Sequence, residues 1–592
     1  LVIDKNLVID NSSNSAMVFL DGNNTVRILQ VNNGISLTIK KLGFIAGNSG
    51  GGYGGAILND GGVVTIDDGY FTSNRAQQGG AIRNSSGTVN ITKSFFSTNY
   101  AVLTGGNGGA ISNDGVPATL NVIDSSFTNN QADYRGGAIW NSGTLNVTGS
   151  TFASNQTLDY DGGAIYSYSG ATTTISNSTF TGNTAGNIPR ITNLGSAVFA
   201  GGALTMVNST LSGNDGNGGV GNLIALGPLT MRNTILANSM DSSADCLWSW
   251  SDPSELIDDH NLIEVNSASG FGCGVPTVTA DPGLALIDYN GGLTQTMALL
   301  SGSPAIDAGN SDPAICPATD QRGGSRPKGT GCDIGAYEYD PTLQITSLSP
   351  ATKMVVQVIP VEPTFTLTVN GSGFLKGMLV TWNGTPLQTT YISPTQLTVN
   401  IFNFQIEDPI EAGVKVHSSN TVYFRAHTFA DVLPTHPLWR YVEGFFAKGI
   451  TTGCATNPLR YCPDQVVTRG QMAVFLLRSL HVDDAVPYVP ADVEPDTFAD
   501  PPVAGFMEPW IEQFYAEGYT TGCAVNPLRY CPEKGITRGE MAVFLLRAKH
   551  GSSYVPADVN PDPFIDPPKN AWMEPWIEQF YEQGFTTGCG GS

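Results

Sequence analysis

A four-residue motif, Gly-Gly-Ala-Ile, recurs in the first third of the chain, and its spacing constrains the fold more than any other feature. Successive copies start 25, 29, 28 and 26 residues apart. A period of this size is typical of a solenoid, in which each unit buries its apolar face only against its neighbours. The copies occupy 54–57, 79–82, 108–111, 136–139 and 162–165, and a Gly-Gly-Ala-Leu copy follows at 201–204.

A second motif, an apolar residue three positions before an asparagine, keeps step with the first. Between the two motifs lies a short run of alternating apolar residues, the pattern of a strand with one buried face. Three short strands per repeat predict one turn of a right-handed parallel β-helix. Stacked side chains would fill its interior, and asparagines would bond to backbone at a corner. The second motif comprises Phe71/Asn74, Phe96/Asn99, Phe127/Asn130, Phe152/Asn155 and Phe180/Asn183.

Composition excludes some classes of function. The 592 residues include 28 Lys and Arg against 51 Asp and Glu, a net charge of −23. Proteins that bind nucleic acid need clustered cations, so this balance argues against such a partner. The sequence has no apolar run long enough to cross a membrane. Residue 1 already reads as strand, so we expect a leader upstream of this numbering.

Eight of the nine cysteines fall into four local pairs. Two pairs lie inside the repeated stretch GCAxNPLRYCP, and two bracket loops rich in Gly, Pro and Asp. No histidine lies near these pairs, which favours disulfides of an oxidising compartment over zinc sites. No metal or cofactor is predicted, and Cys589 is left without a partner. The predicted bonds are Cys246–Cys273, Cys316–Cys332, Cys454–Cys462 and Cys523–Cys531.

The C-terminal half has a different pattern. Residues 342–427 contain alternating strands separated by Gly, Pro and Asn turns, which is typical of a β-sandwich. A second kind of repeat follows, with copies 69 residues apart. In two copies a Thr-Arg-Gly-Gln or Thr-Arg-Gly-Glu sequence predicts a capping box that opens an apolar helix, with Thr468 and Thr537 as the caps. A third copy begins at Phe564.

These motifs carry several resemblances. The paired Gly-Gly-Ala-Ile and Phe-x-x-Asn repeats resemble those of polymorphic outer-membrane proteins and related bacterial surface β-helices. The segment 281–339 is similar to the end-piece of β-helix proteins of the choice-of-anchor type, and we expect it to cap the last coil. The sandwich resembles an IPT/TIG immunoglobulin-like module, which is usually a spacer. The C-terminal units resemble S-layer homology repeats.

The sequence therefore predicts a mainly β protein: a right-handed parallel β-helix, followed by an Ig-like β-sandwich and small α-helical S-layer homology repeats. The expected domains are the solenoid at 1–245, the β-helix end and cap with disulfide loops at 246–341, the sandwich at 342–427, and S-layer homology repeats at 428–497, 498–563 and, in part, 564–592.

The S-layer homology resemblance implies binding to a cell-wall polysaccharide. By carry-over it makes Arg469 and Arg538 candidate ligands of anionic sugar substituents, because guanidinium donates two parallel hydrogen bonds to a carboxylate. Trp510 and Trp576 are candidates for packing on a sugar, with a role in the core as the alternative. The third copy ends before its second helix. The missing half would come either from chain beyond Ser592 or from another subunit, and the latter gives head-to-tail assembly.

Many parallel β-helices act on polysaccharides, so the coils are a candidate location for a binding or catalytic site. Two aligned stretches, DYRGGAI and DYDGGAI, predict either a calcium or sugar site with aromatic walls or a solvated corner with a weak local ion pair. No catalytic residue is assigned, because no Ser/His/Asp or Cys/His arrangement can be read. The aligned pairs are Asp133 with Asp159, Tyr134 with Tyr160, and Arg135 with Asp161.

These observations predict a structural protein of the bacterial cell surface, not an enzyme. It would form or anchor an extracellular layer, sheath or filament, with identical subunits and cell-wall polysaccharide as its partners. The alternative is a surface-anchored adhesin or a polysaccharide-active β-helix enzyme that uses the flank of the solenoid.

Overall fold

The chain forms two compact units, each described by itself below. One comprises 1–349, 366–400 and 413–422, and the other 350–365, 401–412 and 423–592. Cys589 lies outside the residues that the structure describes. The computed structural model describes residues 1–102, 105–186, 197–240, 244–267, 271–354, 363–402, 411–417, 419–482, 488–492, 495–559, 563–565, 568 and 570–588.

The first unit contains a parallel β-solenoid, as the repeats predict. Three parallel sheets of ten strands each run along it, and neighbouring strands of one sheet belong to successive coils. Equivalent positions of the repeat lie directly over one another, since Ile82 pairs with both Ile57 and Ile111. The spacing of the Gly-Gly-Ala-Ile motif therefore sets the register of the sheets.

The strands of the solenoid, in coil order, have the following bounds. The first sheet contains Val2–Ile3, Leu29–Val31, Ile57–Asp60, Ile82–Ser85, Ile111–Asp114, Ile139–Asn141, Ile165–Ser167, Val198–Ala200, Leu223–Ala225 and Cys246–Trp248. The second contains Leu7–Asp10, Ser36–Lys40, Val63–Asp67, Thr88–Thr92, Thr119–Ile123, Thr144–Thr148, Thr172–Ser176, Ala203–Val207, Leu229–Arg232 and Leu256–Asp259. The third contains Val18–Asp21, Leu42–Ile45, Tyr70–Thr72, Phe95–Ser97, Ser126–Thr128, Thr151–Ala153, Thr179–Thr181, Thr210–Ser212, Ile235–Ala237 and Leu262–Ile263. A short fourth sheet contains Arg75–Ala76, Tyr100–Ala101, Gln131–Ala132 and Gln156–Thr157.

A column of phenylalanine rings fills the interior behind the third sheet. Neighbouring rings are stacked nearly parallel, with centroids 4.6 to 4.8 Å apart. All six rings are fully buried, and burying one such side chain stabilises the fold by about 1.5–3 kcal/mol. The column, with the isoleucine stack beside it, confirms the predicted core. Its members are Phe44, Phe71, Phe96, Phe127, Phe152 and Phe180.

An asparagine ladder follows the phenylalanine column at the adjoining corner, as predicted. The Asn74 side chain donates to the Asn99 amide oxygen at 2.9 Å and to the Phe44 carbonyl at 3.0 Å. The same pair of bonds recurs from coil to coil as far as Asn214. A second buried ladder, which the sequence reading missed, joins Asn59, Asn84, Asn113 and Asn141 through bonds of 2.7 to 2.8 Å.

The segment 281–339, which we expect to cap the last coil, buries Leu262 of that coil together with its own Ala298, Leu299 and Tyr337, and its capping role stays a prediction. It runs back along the outer face of the third sheet. Thr294 donates to the Gly149 carbonyl at 2.8 Å, and the Ala336 N–H donates to the Thr210 hydroxyl at 3.0 Å. From the fifth coil onward, the outward residues of this sheet are Ser, Thr and aliphatic residues, which a covering segment can bond and pack against. They are Ser126, Thr151, Thr179, Thr210, Ile235 and Leu262.

The chain that contains and follows the Cys246–Cys273 disulfide also meets the last coils. The Ile263 N–H donates to the Val278 carbonyl at 3.1 Å, and the Trp248 N–H donates to the Phe271 carbonyl at 2.9 Å. These bonds satisfy backbone groups that the final strands would otherwise leave unpaired.

Short antiparallel strands follow the solenoid. Leu284–Asp288 pairs with Thr296–Leu299, Gln344–Ser349 with Pro363–Ser372, Thr389–Ser393 with Gln396–Phe402, and Val380–Trp382 with both Thr385–Leu387 and Glu411–Val416. In the second unit Thr352–Met354 runs parallel to Val422–His427. The IPT/TIG resemblance of this region stays a prediction.

The rest of the second unit is helical. The predicted capping boxes are present, since Thr468 and Thr537 each cap a helix whose third residue bonds back to the cap. Among the described residues, no helix combines the length and the apolar composition of a membrane span. Two hairpins pair Ala455–Thr456 with Leu459–Arg460 and Ala524–Val525 with Leu528–Arg529. The helices are α1, Trp439–Ala447; α2, Arg469–Leu480; α3, Glu508–Ala516; α4, Arg538–His550; and α5, Glu574–Glu582, with 3₁₀ turns at Gly505–Met507 and Ala571–Met573. A further 3₁₀ turn, Pro253–Glu255, lies in the first unit.

Candidate functional sites

The predicted calcium or sugar site lies where the chain enters the first sheet of the solenoid. We call it the flank site, and it comprises Asp133, Tyr134, Arg135, Asp159, Tyr160 and Asp161. The Asp159 N–H donates to the Asp133 carbonyl at 3.2 Å, so these residues align on successive coils. The Tyr134 and Tyr160 rings lie with their centroids 4.2 Å apart. The structure thus brings these four residues together as the sequence predicts.

Arg135 occupies the middle of this flank site. Its guanidinium lies over the rings of Tyr134, Tyr160 and Tyr166, 4.7, 5.2 and 4.8 Å from their centroids. Its Nε is buried and has no hydrogen-bond partner among the described residues. Burial raises the pKa of Asp161 to about 6, although the positive charge of Arg135 opposes that rise. The flank site is therefore a cation held among aromatic rings beside a carboxyl that is readily protonated.

Tyr166 is a member of this site that the sequence reading missed. It follows a Gly-Gly-Ala-Ile copy directly, and register places it between Trp140 and Phe199 on the outer face of the first sheet. Its ring stacks on Phe199 at 4.8 Å. The signal was available in the sequence, because the residue after each copy of the motif must point outward.

All four predicted disulfides are present, with Cα atoms 5.9 to 6.3 Å apart. In the helical unit an aspartate holds each disulfide-closed hairpin. The Asp500 carboxylate accepts hydrogen bonds from the N–H groups of Tyr530 and Cys531, both at 2.8 Å, and Asp431 makes the same contacts one repeat earlier. Three possible metal-ligating side chains converge only at these two places within the described part of the chain. Since a metal-binding cysteine must be a thiolate, the bonded sulfurs do not support zinc there.

The two candidate arginines differ in their surroundings. Arg469 is 3% exposed, and its guanidinium donates to the Glu540 carboxylate and the Tyr530 carbonyl, both at 3.0 Å. Arg538 is exposed and donates to the Thr586 hydroxyl at 3.1 Å and the Gly588 carbonyl at 3.3 Å. Arg469 thus joins two repeats, whereas Arg538 keeps a guanidinium open to a ligand.

Both candidate tryptophans lie in the helical core. Tyr488 meets Trp510 edge-on, and the guanidinium of Arg478 lies 5.2 Å from its centroid. Tyr554 and Arg547 make the same contacts with Trp576. Both indoles are buried, which favours the core alternative over packing on a sugar.

Helix α1 exposes an apolar face, whereas the equivalent face of its counterpart α3 is buried. The second helix of one repeat packs on the first helix of the next, because α2 packs on α3 and α4 on α5. Trp510 and Phe514 on α3 are 6% and 0% exposed in that packing. The residues 69 positions earlier, Tyr441 and Phe445 on α1, are 70% and 43% exposed.

A comparison with known proteins adds one match. Residues 124–142 match the Chlamydia polymorphic membrane protein (Chlamydia_PMP) repeat. The matched stretch contains Phe127, Asn130 and the motif copy at 136–139. No curated protein and no solved structure matches the chain. The repeat match and the parallel solenoid support a bacterial surface β-helix protein.

Proposed function

We propose that this chain is a non-enzymatic structural protein of the bacterial cell surface, which forms or anchors an extracellular layer, sheath or filament. The helical repeats attach it to neighbouring subunits and to wall polysaccharide. The solenoid is the structural part, because hydrogen-bonded side-chain ladders join each of its coils to the next.

The exposed face of α1 is the observation that carries this proposal. In two neighbouring repeat junctions, the equivalent face is covered by the second helix of another repeat. The α1 face is apolar, with Leu438 beside Tyr441 and Phe445, and all three are exposed. An exposed apolar helix face favours docking of a complementary surface. A contact between two different surfaces of identical subunits repeats head-to-tail and gives open assemblies.

The test is a double substitution on this face, Tyr441→Ser with Phe445→Ser. We expect the unchanged full chain to sediment as a series of oligomers whose size grows with concentration, and the double variant to sediment as monomer. Val525→Ser provides a matched control, because Val525 is an exposed apolar residue of the same unit that lies in a hairpin. Monomeric behaviour of the unchanged chain at all concentrations would contradict self-assembly.

A second candidate function is that of an adhesin or a polysaccharide-active protein. Arg135, held among three tyrosine rings beside Asp161, favours it, because cations and aromatic faces both recognise ligands. A monomeric full chain in the same sedimentation experiment would shift support to this candidate.

A further inference from the structure

The outer face of the third sheet is divided into a covered and an open part. From Thr151 onward the chain's own segment lies across it. In the earlier coils the outward positions are Phe19, Gly43, Tyr70 and Phe95. Phe19 is 48% exposed, and the Tyr70 and Phe95 side chains are half-buried. The open part is therefore an aromatic row that continues an interface already used within the molecule.

The rings of this row form one continuous surface. Tyr70 and Phe95 stack with their centroids 5.3 Å apart, and Phe19 meets Tyr70 edge-on at 6.0 Å. Gly43 makes this possible, because a Cβ at that position would lie 2.2 Å from the Phe19 ring. Because Gly43 has no side chain, the Phe19 ring extends over the second coil. The row therefore reaches from the first coil to the fourth.

A cleft of about 420 Å³ opens at the end of the row. Phe95 lines it from the sheet, and Tyr289 and Leu293 line it from the segment that runs back along the solenoid. Its volume lies within the range of about 300–1,000 Å³ that is usual for small-molecule sites. We call the row and the cleft together the flank groove.

Charged side chains line the flank groove at the corner between the second and third sheets. Asp68, Lys93 and Asp124 occupy this corner with positive φ angles of 56°, 48° and 48°. That conformation costs most residues about 1–2 kcal/mol and is adopted most readily by Gly, Asn and Asp. The next two coils carry Gly149 and Asn177 at the same position, also with positive φ. Backbone geometry therefore permits the two aspartates but does not explain Lys93.

The only electrostatic effect among these charged side chains in the described part of the chain is that of Lys93 on Asp124, whose pKa burial raises and the lysine charge lowers. Among the described residues, the side chains of Asp68, Lys93 and Asp124 form no ion pair or hydrogen bond. With Asp67 the cleft carries three carboxylates and one ammonium group. Such a wall accepts hydrogen bonds from hydroxyl and amino groups and repels polyanions.

We propose that the flank groove binds a saccharide chain made of neutral or amino sugars. The apolar faces of the sugar rings pack on Phe19, Tyr70 and Phe95, and the hydroxyl or amino groups bond to the corner carboxylates. A peptide strand is a poorer fit, because this is a sheet face without free strand edges to pair with. This role goes beyond the proposed structural function, since it places a glycan along the side of the solenoid.

The test is isothermal titration calorimetry of the full chain with hexamers of glucose, glucosamine and galacturonate. We expect the first two to bind and the galacturonate hexamer to bind at least tenfold more weakly. Tyr70→Ala and Asp124→Asn should each raise Kd at least tenfold, whereas Tyr168→Ala, an exposed aromatic residue elsewhere on the solenoid, should change it less than twofold.

Three results would overturn the proposal. The first is that neither the glucose nor the glucosamine hexamer binds, and the second is that the galacturonate hexamer binds as tightly as these two. The third is that Kd is unchanged in both groove variants. Asp124→Asn decides the matter alone if Tyr70→Ala does not fold. Repeating the titration on the Tyr441→Ser and Phe445→Ser double variant separates failure of this site from failure of the proposed assembly.

Discussion

Arg469 and Arg538 occupy the same position of two repeats, yet their environments differ and predict different roles. Arg469 is enclosed by its neighbours, since Glu540 pairs with it at 3.0 Å and the Tyr530 and Phe544 rings flank it. Arg538 remains exposed. A buried, paired charge serves stability and an exposed one is available to a ligand, so the family resemblance alone could not separate the two roles.

Replacing each arginine by glutamine tests this distinction. We expect Arg469→Gln to lower the free energy of unfolding of the helical unit by about 3 kcal/mol, because it leaves the Glu540 carboxylate without its buried partner. Arg538→Gln should change stability by less than about 0.5 kcal/mol and should weaken binding to purified wall polysaccharide. Urea unfolding followed by circular dichroism checks the first result, and polysaccharide co-sedimentation checks the second. Equal stability loss in both variants would refute the assignment.

The raised pKa of Asp161 predicts how the free energy of unfolding depends on pH. Because burial raises its pKa from 3.8 to about 6, the native state holds this proton more tightly than the unfolded chain. Its contribution to the free energy of unfolding therefore falls as pH rises from about 4 to about 6, by up to about 3 kcal/mol. Urea unfolding of Asp161→Asn across this range should show a flatter pH profile than the unchanged chain. Asp159→Asn, an exposed neighbour, is the control, and identical profiles for the unchanged chain and Asp161→Asn would contradict the prediction.

At the scale of elements, side-chain ladders hold one coil to the next. Each buried asparagine of the corner ladder bonds to the asparagine of the next coil and to a phenylalanine carbonyl of the preceding one. Removing one side chain thus leaves several buried polar groups unpaired in two coils. A ladder on the outer face, between Asn146 and Asn121 at 2.8 Å, is only half-buried.

This contrast predicts the effect of two otherwise matched substitutions. Asn130→Ala should lower the free energy of unfolding by about 3 kcal/mol, since each buried group left unsatisfied costs about 1–3 kcal/mol. Asn146→Ala should cost less than about 1 kcal/mol, because water replaces the lost bond. Urea unfolding of both variants measures the difference. Equal losses would mean that burial does not set the strength of the ladders.

The sequence predicted those features whose residues recur once in every coil of the solenoid. Phe127 and Asn130 recur once per coil, so their stacking and their ladder follow from spacing. The placement of the segment around Thr294 and Gln321 did not, because it depends on contacts with Gly149 and Thr151 more than 140 residues away. The flank groove was missed for the same reason, since its wall at Tyr289 comes from that segment.

At the scale of the whole molecule, the exposed face of α1 is the feature that most favours assembly. The equivalent face on α3 is buried by a neighbouring helix. On α1 the aromatic residues at the same repeat positions, Tyr441 and Phe445, are exposed. The charge of the chain, −23, keeps unspecific association weak, so a specific apolar contact is the expected route to ordered assembly.

The most direct test is electron microscopy of the purified full chain beside its Tyr441→Ser and Phe445→Ser double variant, without added ligand. We expect periodic fibres or sheets from the unchanged chain and dispersed particles from the double variant. Dispersed particles from both would contradict the central claim that the protein is itself the building block of an extracellular structure.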